Sequence, residues 1–450
     1  MKDKNIAIIL AAGKGSRMNS SIPKPLHEVA GRSILDHILY NIKSVGFDET
    51  IVVINKDHLN FFEYLNDSDE NIKISFQENQ LGTGDAVKSG LIGHDLSKVN
   101  NVLVVFGDTP LLTKETLENL YVSNNQNNLS VLGFFADEPG RYGRLVTKGS
   151  SLIKIVEALD ANDEEKDIKL CNGGVMMVKA KNLNERLSLM GSDNAKNEII
   201  LSDLVEITNN SGESSAYIEC SHEETLGVDT KKGLSRAEKI YQNRLRDGFM
   251  SNGTTMLDPE TVFFSWDTSI GKDVTIGANI VFGANVIIED GVTVNSFCSI
   301  ENSIIKEGAS VGPFSRLRNG AEIGQNSKIG NFVEIKNSSL KSEVKVSHLS
   351  YIGDADIDDC ANIGAGTITC NFDGTNKNKT VIGKRAFIGS NSSLIAPINI
   401  GDDANIAAGS SISKDVEPGF LAITRSPIKF ISNWSKKIKR TNNEEEKCVE

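Results

Sequence analysis

Cysteine pairs, proline and aromatic residues are all scarce in this chain of 450 residues. Its six cysteines (Cys171, Cys220, Cys298, Cys360, Cys370 and Cys448) show no Cys-x-x-Cys pair and no metal-ligand spacing. That excludes a disulfide framework, argues against structural zinc, and fits free thiols in a reducing, cytoplasmic compartment. Nine prolines and 6% aromatics exclude collagen-like or proline-rich disorder, whereas 39 glycines imply many tight turns. An excess of positive charge is missing too. Against 60 Asp and Glu stand 48 Lys and Arg, a net charge of −12, so neither nucleic acid nor an anionic membrane is an expected partner. An anionic substrate must meet local cations. The apolar run at 6–12 is too short to span a membrane and leads straight into a glycine loop, so it reads as a first strand and not as a signal peptide. At ~150 residues per domain the chain holds two or three domains.

Internal repetition settles the second half. Apolar residues recur every six positions from Ile270 through Ile276, Phe282, Ile288, Val294 and Ile300; after a step of five, Ile305 opens a second run through Val311, Leu317, Ile323, Ile329 and Ile335. A third run holds Ile382, Ile388, Leu394, Ile400, Ile406 and Ile412, and between them Ile357 and Ile363 are also six apart. A period of six matches neither the 3.6 of a helix nor simple alternation, but suits a short flat strand followed by a turn. Stacked rungs of this kind make a parallel β-helix around a column of aliphatic side chains, each contributing ~1.5–3 kcal/mol of burial before chain entropy is subtracted. Two stretches read as departures from the period, 336–351 and the insertion 370–379, and function is expected there. A bare scaffold or oligomerisation device is the alternative.

The first half alternates strand-like runs (6–10, 50–54, 102–106) with helical patterns such as 34–45, as in an α/β domain with a Rossmann-like, mostly parallel sheet. Ligands in such sheets bind at strand C-terminal ends. Residues 1–229 are assigned to this domain and 230–250 to a linking helix, with Leu234, Ala237, Ile240, Tyr241 and Leu245 at helical spacing. The β-helix takes 251–435, and 436–450 is a charged tail with little to bury, expected to be mobile.

After the first strand come Gly13, Lys14, Gly15, Ser16 and Arg17, then Pro23 and Lys24. Small residues let backbone N–H groups approach a phosphate, and Arg17 and Lys24 supply the local charge that an acidic chain needs. Neither a dinucleotide fingerprint nor a Walker loop fits, and by itself Gly-x-Gly-x-Arg is equally a turn. Asp108 follows the strand-like run 102–106, placed to hold Mg²⁺ beside substrate phosphate oxygens, or simply to shape a turn before Pro110.

The order of the motifs carries a resemblance. Leu10-Ala-Ala-Gly-Lys-Gly-Ser-Arg-Met18, Pro23-Lys24, Gln80-Leu-Gly-Thr-Gly84, Gly107-Asp-Thr-Pro-Leu111 and Tyr142-Gly-Arg144 together resemble the sugar-nucleotide pyrophosphorylase family. With Gly364-Ala-Gly-Thr-Ile-Thr-Cys-Asn371 in the repeat half, nearly the whole chain resembles bifunctional enzymes joining an N-acetylglucosamine-1-phosphate uridylyltransferase to a glucosamine-1-phosphate N-acetyltransferase on a left-handed β-helix. The resemblance implies synthesis of UDP-N-acetylglucosamine for cell-wall and lipopolysaccharide precursors. UTP and acetyl-CoA are the implied co-substrates, Mg²⁺ the metal and a homotrimer the assembly.

In the uridylyltransferase half the resemblance implies that Leu10, Ala11, Ala12, Gly13, Gln77, Gly82 and Thr83 hold uracil and ribose beside Phe106 and Gly107, and Gln77 can offer a base both donor and acceptor. Arg17 and Lys24 would act on the phosphates, Asp108 and Asp229 on the metal, and Gly143, Glu157 and Asn172 on the sugar. Asp229 stands where the family has Asn, and Phe106 where close relatives carry Tyr. Of six histidines in the chain, His348 alone lies in the repeat half. An imidazole of ordinary pKa ~6.5 suits proton removal from an attacking amine, and the resemblance makes His348 the general base. Arg318, Lys336, Tyr351 and Asn362 are implied to bind the sugar phosphate. Ala365, Asn371, Phe372, Ser390, Ala408 and Arg425 are implied to bind acetyl-CoA, Phe372 replacing a family Tyr. Two other readings remain: a nucleotidyltransferase whose β-helix only trimerises, and a sugar-nucleotide binding module without turnover.

Overall fold

The computed structural model describes residues 4–57, 59–66, 72–149 and 151–434. It divides into two compact units, one of residues 1–248 with 263–266, the other of 249–262 with the chain from 267 onward. In the first, Lys4–Leu10 pairs in parallel with Glu49–Ile54 on one side and Val99–Phe106 on the other. Ile72–Phe76 extends this parallel set, and Leu170–Lys179 joins antiparallel to Val99–Phe106. The sheet then runs through Leu129–Phe135, Ser215–Glu219 and the hairpin of Ser151–Val156 with Arg144–Lys148. Its central strands are unbroken apolar runs because both faces are covered: Ile9, Val52 and Val105 face one layer, and Ile8, Val53 and Val104 the other.

Helix Ile34–Val45 starts at Ser33, whose hydroxyl accepts from the Asp36 N–H at 3.0 Å, and stops where Gly46 turns left-handed at φ 90°. Helix Lys231–Ser251 lays Ala237 and Ile240 into the same apolar layer. Its buried Gln242 donates to the Phe264 carbonyl at 2.7 Å and accepts from the Phe264 N–H at 2.8 Å. A buried amide satisfied on both sides ties 263–266 back to the first unit.

The second unit is a left-handed parallel β-helix of three parallel sheets. Ile300 pairs with Leu317 and Leu317 with Ile335, so one coil takes 17 or 18 residues. The aliphatic columns inside are almost wholly buried; Ile276, Val294, Val311 and Ile329 are each at most 1% exposed. Asn occupies many of the left-handed corners, among them Asn279, Asn302, Asn326 and Asn337, where its short polar side chain tolerates positive φ.

One expectation is corrected. Residues 336–351 do not leave the prism: Leu340, Val346 and Ile352 carry the columns through them, paired with Ile323, Ile329 and Ile335 on the coil before. The step from Ile335 to Leu340 is merely one residue short, as it is from Ile300 to Ile305, and at the same corner. Insertion 370–379 does leave the columns, again at that corner, and Thr380 resumes the pairing with Ala355. The described cysteines are free thiols. The tail 436–450, with Cys448, lies outside the described residues. Among the described residues no helix is long and apolar enough to cross a membrane.

Candidate active sites

The parallel strands of the first unit end at a cavity of about 320 Å³. The turn after the first strand is set by two backbone bonds, from the Ala11 N–H to the Val53 carbonyl at 2.8 Å and from the Gly107 N–H to the Leu10 carbonyl at 2.9 Å. Leu10, Ala11, Ala12, Gly13, Lys24, Gln77, Gly82, Thr83, Phe106, Gly107 and Asp108 all line the cavity, with Gln80 and Glu198 beside them. Gly82 has φ 126°, and a Cβ there would meet the Ile199 backbone nitrogen at 2.9 Å, so this wall closes only around a glycine. Gln77 spends its amide nitrogen on the Gly82 carbonyl at 3.0 Å and the Asp85 carboxylate at 2.8 Å. Its Oε1 is left for a ligand, whereas the sequence suggests that it offers donor and acceptor together.

Charge gathers at the cavity edge. Lys24 pairs with Asp108 and lies 3.1 Å from Asp229, which Arg17 reaches at 3.0 Å. The Val228 N–H donates to the Asp108 carbonyl at 2.8 Å, and this bond sets the two acids side by side. Burial lowers the Lys24 pKa, but Asp108 and Asp229 outweigh it and hold the ammonium above the usual lysine range. Two adjacent carboxylates are the hard oxygen donors that Mg²⁺ takes, and Lys24 marks the space between them as one that stabilises positive charge, so the residues present fit the ion.

Gly143, Glu157 and Asn172 form a second group. A Cβ on Gly143 would stand 3.4 Å from Glu157 Oε1 and 3.5 Å from Asn172 Cβ, and the Asn172 N–H donates to the Gly143 carbonyl at 2.8 Å. Asn172 Oδ1 accepts from the Gly174 N–H at 2.9 Å, and the Phe106 ring packs closely over Gly174. This chain of contacts joins the group to the cavity.

In the β-helix, one corner collects His348 and three further expected residues. Asn331 is paired with His348; the Gly366 N–H donates to the His348 carbonyl at 3.3 Å, the Asn391 N–H to that of Ala365 at 2.7 Å, and the Gly409 N–H to that of Ser390 at 2.8 Å. His348, Ala365, Ser390 and Ala408 therefore hold equivalent places on successive coils, ~4.8 Å apart. Beyond the imidazole, the side chains in this row, Ala365, Ser390 and Ala408, are no larger than a hydroxymethyl group. Arg425 Cδ would be 3.8 Å from a Cβ on Gly409. His348 is exposed, and its Nδ1 is 2.6 Å from Asn331 Oδ1. An amide oxygen only accepts, so this contact asks for the proton on Nδ1, and in the neutral tautomer that it selects Nε2 carries the lone pair.

On the adjoining sheet Arg318 pairs with Lys336, and Lys336 with Gly353. The Tyr351 ring folds back over Gly353, where a Cβ would come within 2.8 Å of ring carbons, and the phenol thereby joins this row. Arg318 Nε donates to Glu334 at 2.6 Å, and Lys336 Nζ lies 3.2 Å from Asp354. Asn371 is buried and Phe372 is exposed. Asn362 opens a strand on the other sheet, paired with Lys345 and Phe387, and among the described residues no hydrogen bond or ion pair joins it to Arg318, Lys336 or Tyr351.

A model of the MobA-like NTP transferase domain matches residues 7–169, one of the GMPPB C-terminal domain residues 259–347, and one of the hexapeptide repeat of succinyl-transferase residues 379–414. Over the whole chain, curated relatives named Bifunctional protein GlmU are similar. That of Paramagnetospirillum magneticum is 42% identical over 97% of this chain and 97% of its own. Those of Zymomonas mobilis (42% identical, over 96% of this chain and 97% of its own) and Ruegeria sp. (44%, over 93% of each) match comparably. The chain belongs to the GlmU family. It is a bifunctional enzyme with a nucleotidyltransferase half and a hexapeptide-repeat acetyltransferase half.

Against the GlmU motifs, several supporting residues went unseen in the sequence. The Ser202 hydroxyl donates to Glu157 at 2.9 Å, and Gln80, quoted in a motif but given no role there, donates from Nε2 to the Ala12 carbonyl at 2.6 Å. Asn331, Glu334, Gly353 and Asp354 each hold or make room for an expected residue, as given above. The coil length was the available signal: Asn331 precedes His348 by one coil, as Glu334 precedes Tyr351.

Proposed function

We propose that the first unit transfers uridylyl from UTP to N-acetylglucosamine 1-phosphate, and that the second acetylates glucosamine 1-phosphate from acetyl-CoA, with the halves at 1–229 and 251–435 joined through 230–250. In the first reaction a phosphate oxygen of the sugar attacks the α-phosphorus of UTP in line, and pyrophosphate leaves. Catalysis needs positioning and charge neutralisation, with no protein nucleophile. Arg17 and Lys24 exchange their carboxylate partners for phosphate oxygens; the exposed Arg17–Asp229 pair yields at a cost of ~0.2–1 kcal/mol. Asp108 and Asp229 hold Mg²⁺, which when bound neutralises charge on the phosphates. The Leu10–Gly13 turn, Gln77, Gly82 and Thr83 seat the nucleoside, and Gly143, Glu157 and Asn172 orient the sugar.

In the second reaction the substrate amine attacks the thioester carbonyl, a C–N bond forms, the C–S bond breaks and coenzyme A leaves as the thiol. His348 Nε2 takes the amine proton. The row of Ala365, Ser390 and Ala408 takes the coenzyme together with Asn371, Phe372 and Arg425, while Arg318, Lys336 and Tyr351 grip the phosphate, Arg318 suited to a bidentate hold. Asn362, on the other sheet, serves a neighbouring chain in a homotrimer. The exposed ring stack of Phe297, Phe314 and Phe332, with centroids 4.8 and 5.2 Å apart, supports packing against another copy. Free thiols support a cytoplasmic setting.

The observation that carries this reading is the base with a free Nε2 at the foot of a corner lined by small residues. Purified protein given glucosamine 1-phosphate and acetyl-CoA is expected to release thiol, and His348→Ala to lose that release while still forming pyrophosphate from UTP and N-acetylglucosamine 1-phosphate. Undiminished thiol release by His348→Ala would overturn the assignment.

A further inference from the structure

One corner of the β-helix carries an asparagine on each successive coil, at positions 285, 302, 319 and 337, and again at 371. Where two of these side chains meet, the link is a single hydrogen bond, Asn285 Nδ2 donating to Asn302 Oδ1 at 2.9 Å. Asp354 interrupts the series between Asn337 and Asn371, at the same left-handed corner (φ 50°). Its carboxylate accepts from Asn337 Nδ2 at 2.6 Å on one side and from Asn371 Nδ2 on the other, with Lys336 Nζ at 3.2 and 3.5 Å between them. An asparagine could not take its place, because one amide oxygen cannot serve three donors in three directions and its NH₂ would face a donor. Burial alone would raise the Asp354 carboxyl, but the two amides and Lys336 hold it below the usual carboxylate range. Asparagine turns this corner without a charge at 285, 302, 319 and 337, and on the first coil the carboxylate of Asp267 only accepts from the Asn285 N–H at 2.8 Å.

We propose that Asp354 is a positioning residue of the acetyltransferase site, fixing the Lys336 ammonium and the Asn371 amide relative to each other so that sugar phosphate and acetyl-CoA are held in register. This rests on the roles given to Lys336 and Asn371 above. Asp354 touches neither substrate. Its one-sided partnership with Asn371 leaves that amide an Oδ1 and one N–H for the coenzyme, and its grip on Lys336 holds a flexible side chain in one place before substrate arrives.

Asp354→Asn keeps the corner and removes the charge. The expected result is a rise of about tenfold in KM for both glucosamine 1-phosphate and acetyl-CoA in thiol release, with pyrophosphate formation within twofold of wild type. In a Lys336→Met background the same change should move KM for the sugar phosphate by less than twofold yet still raise KM for acetyl-CoA, because one of its two routes has been cut. Asp354→Glu, which keeps the carboxylate, should recover part of both affinities, and it carries the test should Asp354→Asn fold poorly. A folded Asp354→Asn protein with both KM values within twofold of wild type, or with kcat alone lowered, overturns the positioning role. Absence of thiol release from the wild-type protein would instead refute the acetyltransferase reading beneath it.

Discussion

Gly330→Ala tests whether the place of one β-helix rung sets the second reaction. Gly330 lies in strand Lys328–Asn331, directly beneath Ser347 on the next coil. A Cβ added there would stand 2.7 Å from the Ser347 carbonyl carbon and 3.0 Å from its Cα, with the carbonyl oxygen closer still. These are backbone atoms and cannot rotate aside. Carbon atoms pack at ~3.5–4.0 Å, so the rung carrying Ser347 and His348 must shift by on the order of 1 Å. A misplacement of ~1 Å costs about 10²-fold in rate, or ~2.7 kcal/mol of barrier, while overpacking costs ~1–3 kcal/mol of stability. Thiol release from acetyl-CoA at saturating substrates is therefore expected to fall about 10²-fold in a protein that still melts cooperatively. Pyrophosphate formation in the other unit should stay within twofold. Thiol release within threefold of wild type would refute the claim that the His348 rung must be held in place.

Two further outcomes follow from the first unit. Asp229→Asn removes one of two carboxylates beside Lys24, so the Mg²⁺ concentration for half-maximal pyrophosphate formation should rise severalfold; an unchanged Mg²⁺ titration would take Asp229 out of the metal site. Burial pushes the His37 imidazole down to about 4, and its Nε2 is held by the Val29 carbonyl at 2.8 Å. Between that value and the ordinary ~6.5 the unfolded chain binds a proton that the folded chain does not, so stability falls as pH drops through this window and levels below it, by up to ~3 kcal/mol. His37→Phe should flatten that share of the slope in denaturant melts from pH 7 to 4.5; parallel curves for the two proteins would show that His37 takes up its proton equally in the folded and unfolded states.

The sequence alone carried the two architectures and most of the chemistry. A six-residue period can be satisfied by stacked rungs and by little else, because a column of aliphatic side chains must recur at the coil spacing to be buried at all. Ordered motifs around Gly13, Asp108 and Asn371 pointed to the two reactions through their resemblance to a known family, while the residues by themselves suggested a phosphate loop and a metal carboxylate. Tertiary structure decided what depends on neighbours one coil or one strand away. Single-residue shortening at one corner hid the regular rungs at 336–351 from a fixed count of six, and pairing across strands showed that they continue. Lys24 came to lie between Asp108 and Asp229, which are 84 and 205 residues distant from it, and Gln77 turned out to have committed both its N–H groups. His348, Ala365, Ser390 and Ala408 formed one edge only once the coils were stacked, because a β-helix makes neighbours of residues at the length of its coil and insertion 370–379 changes that length partway up.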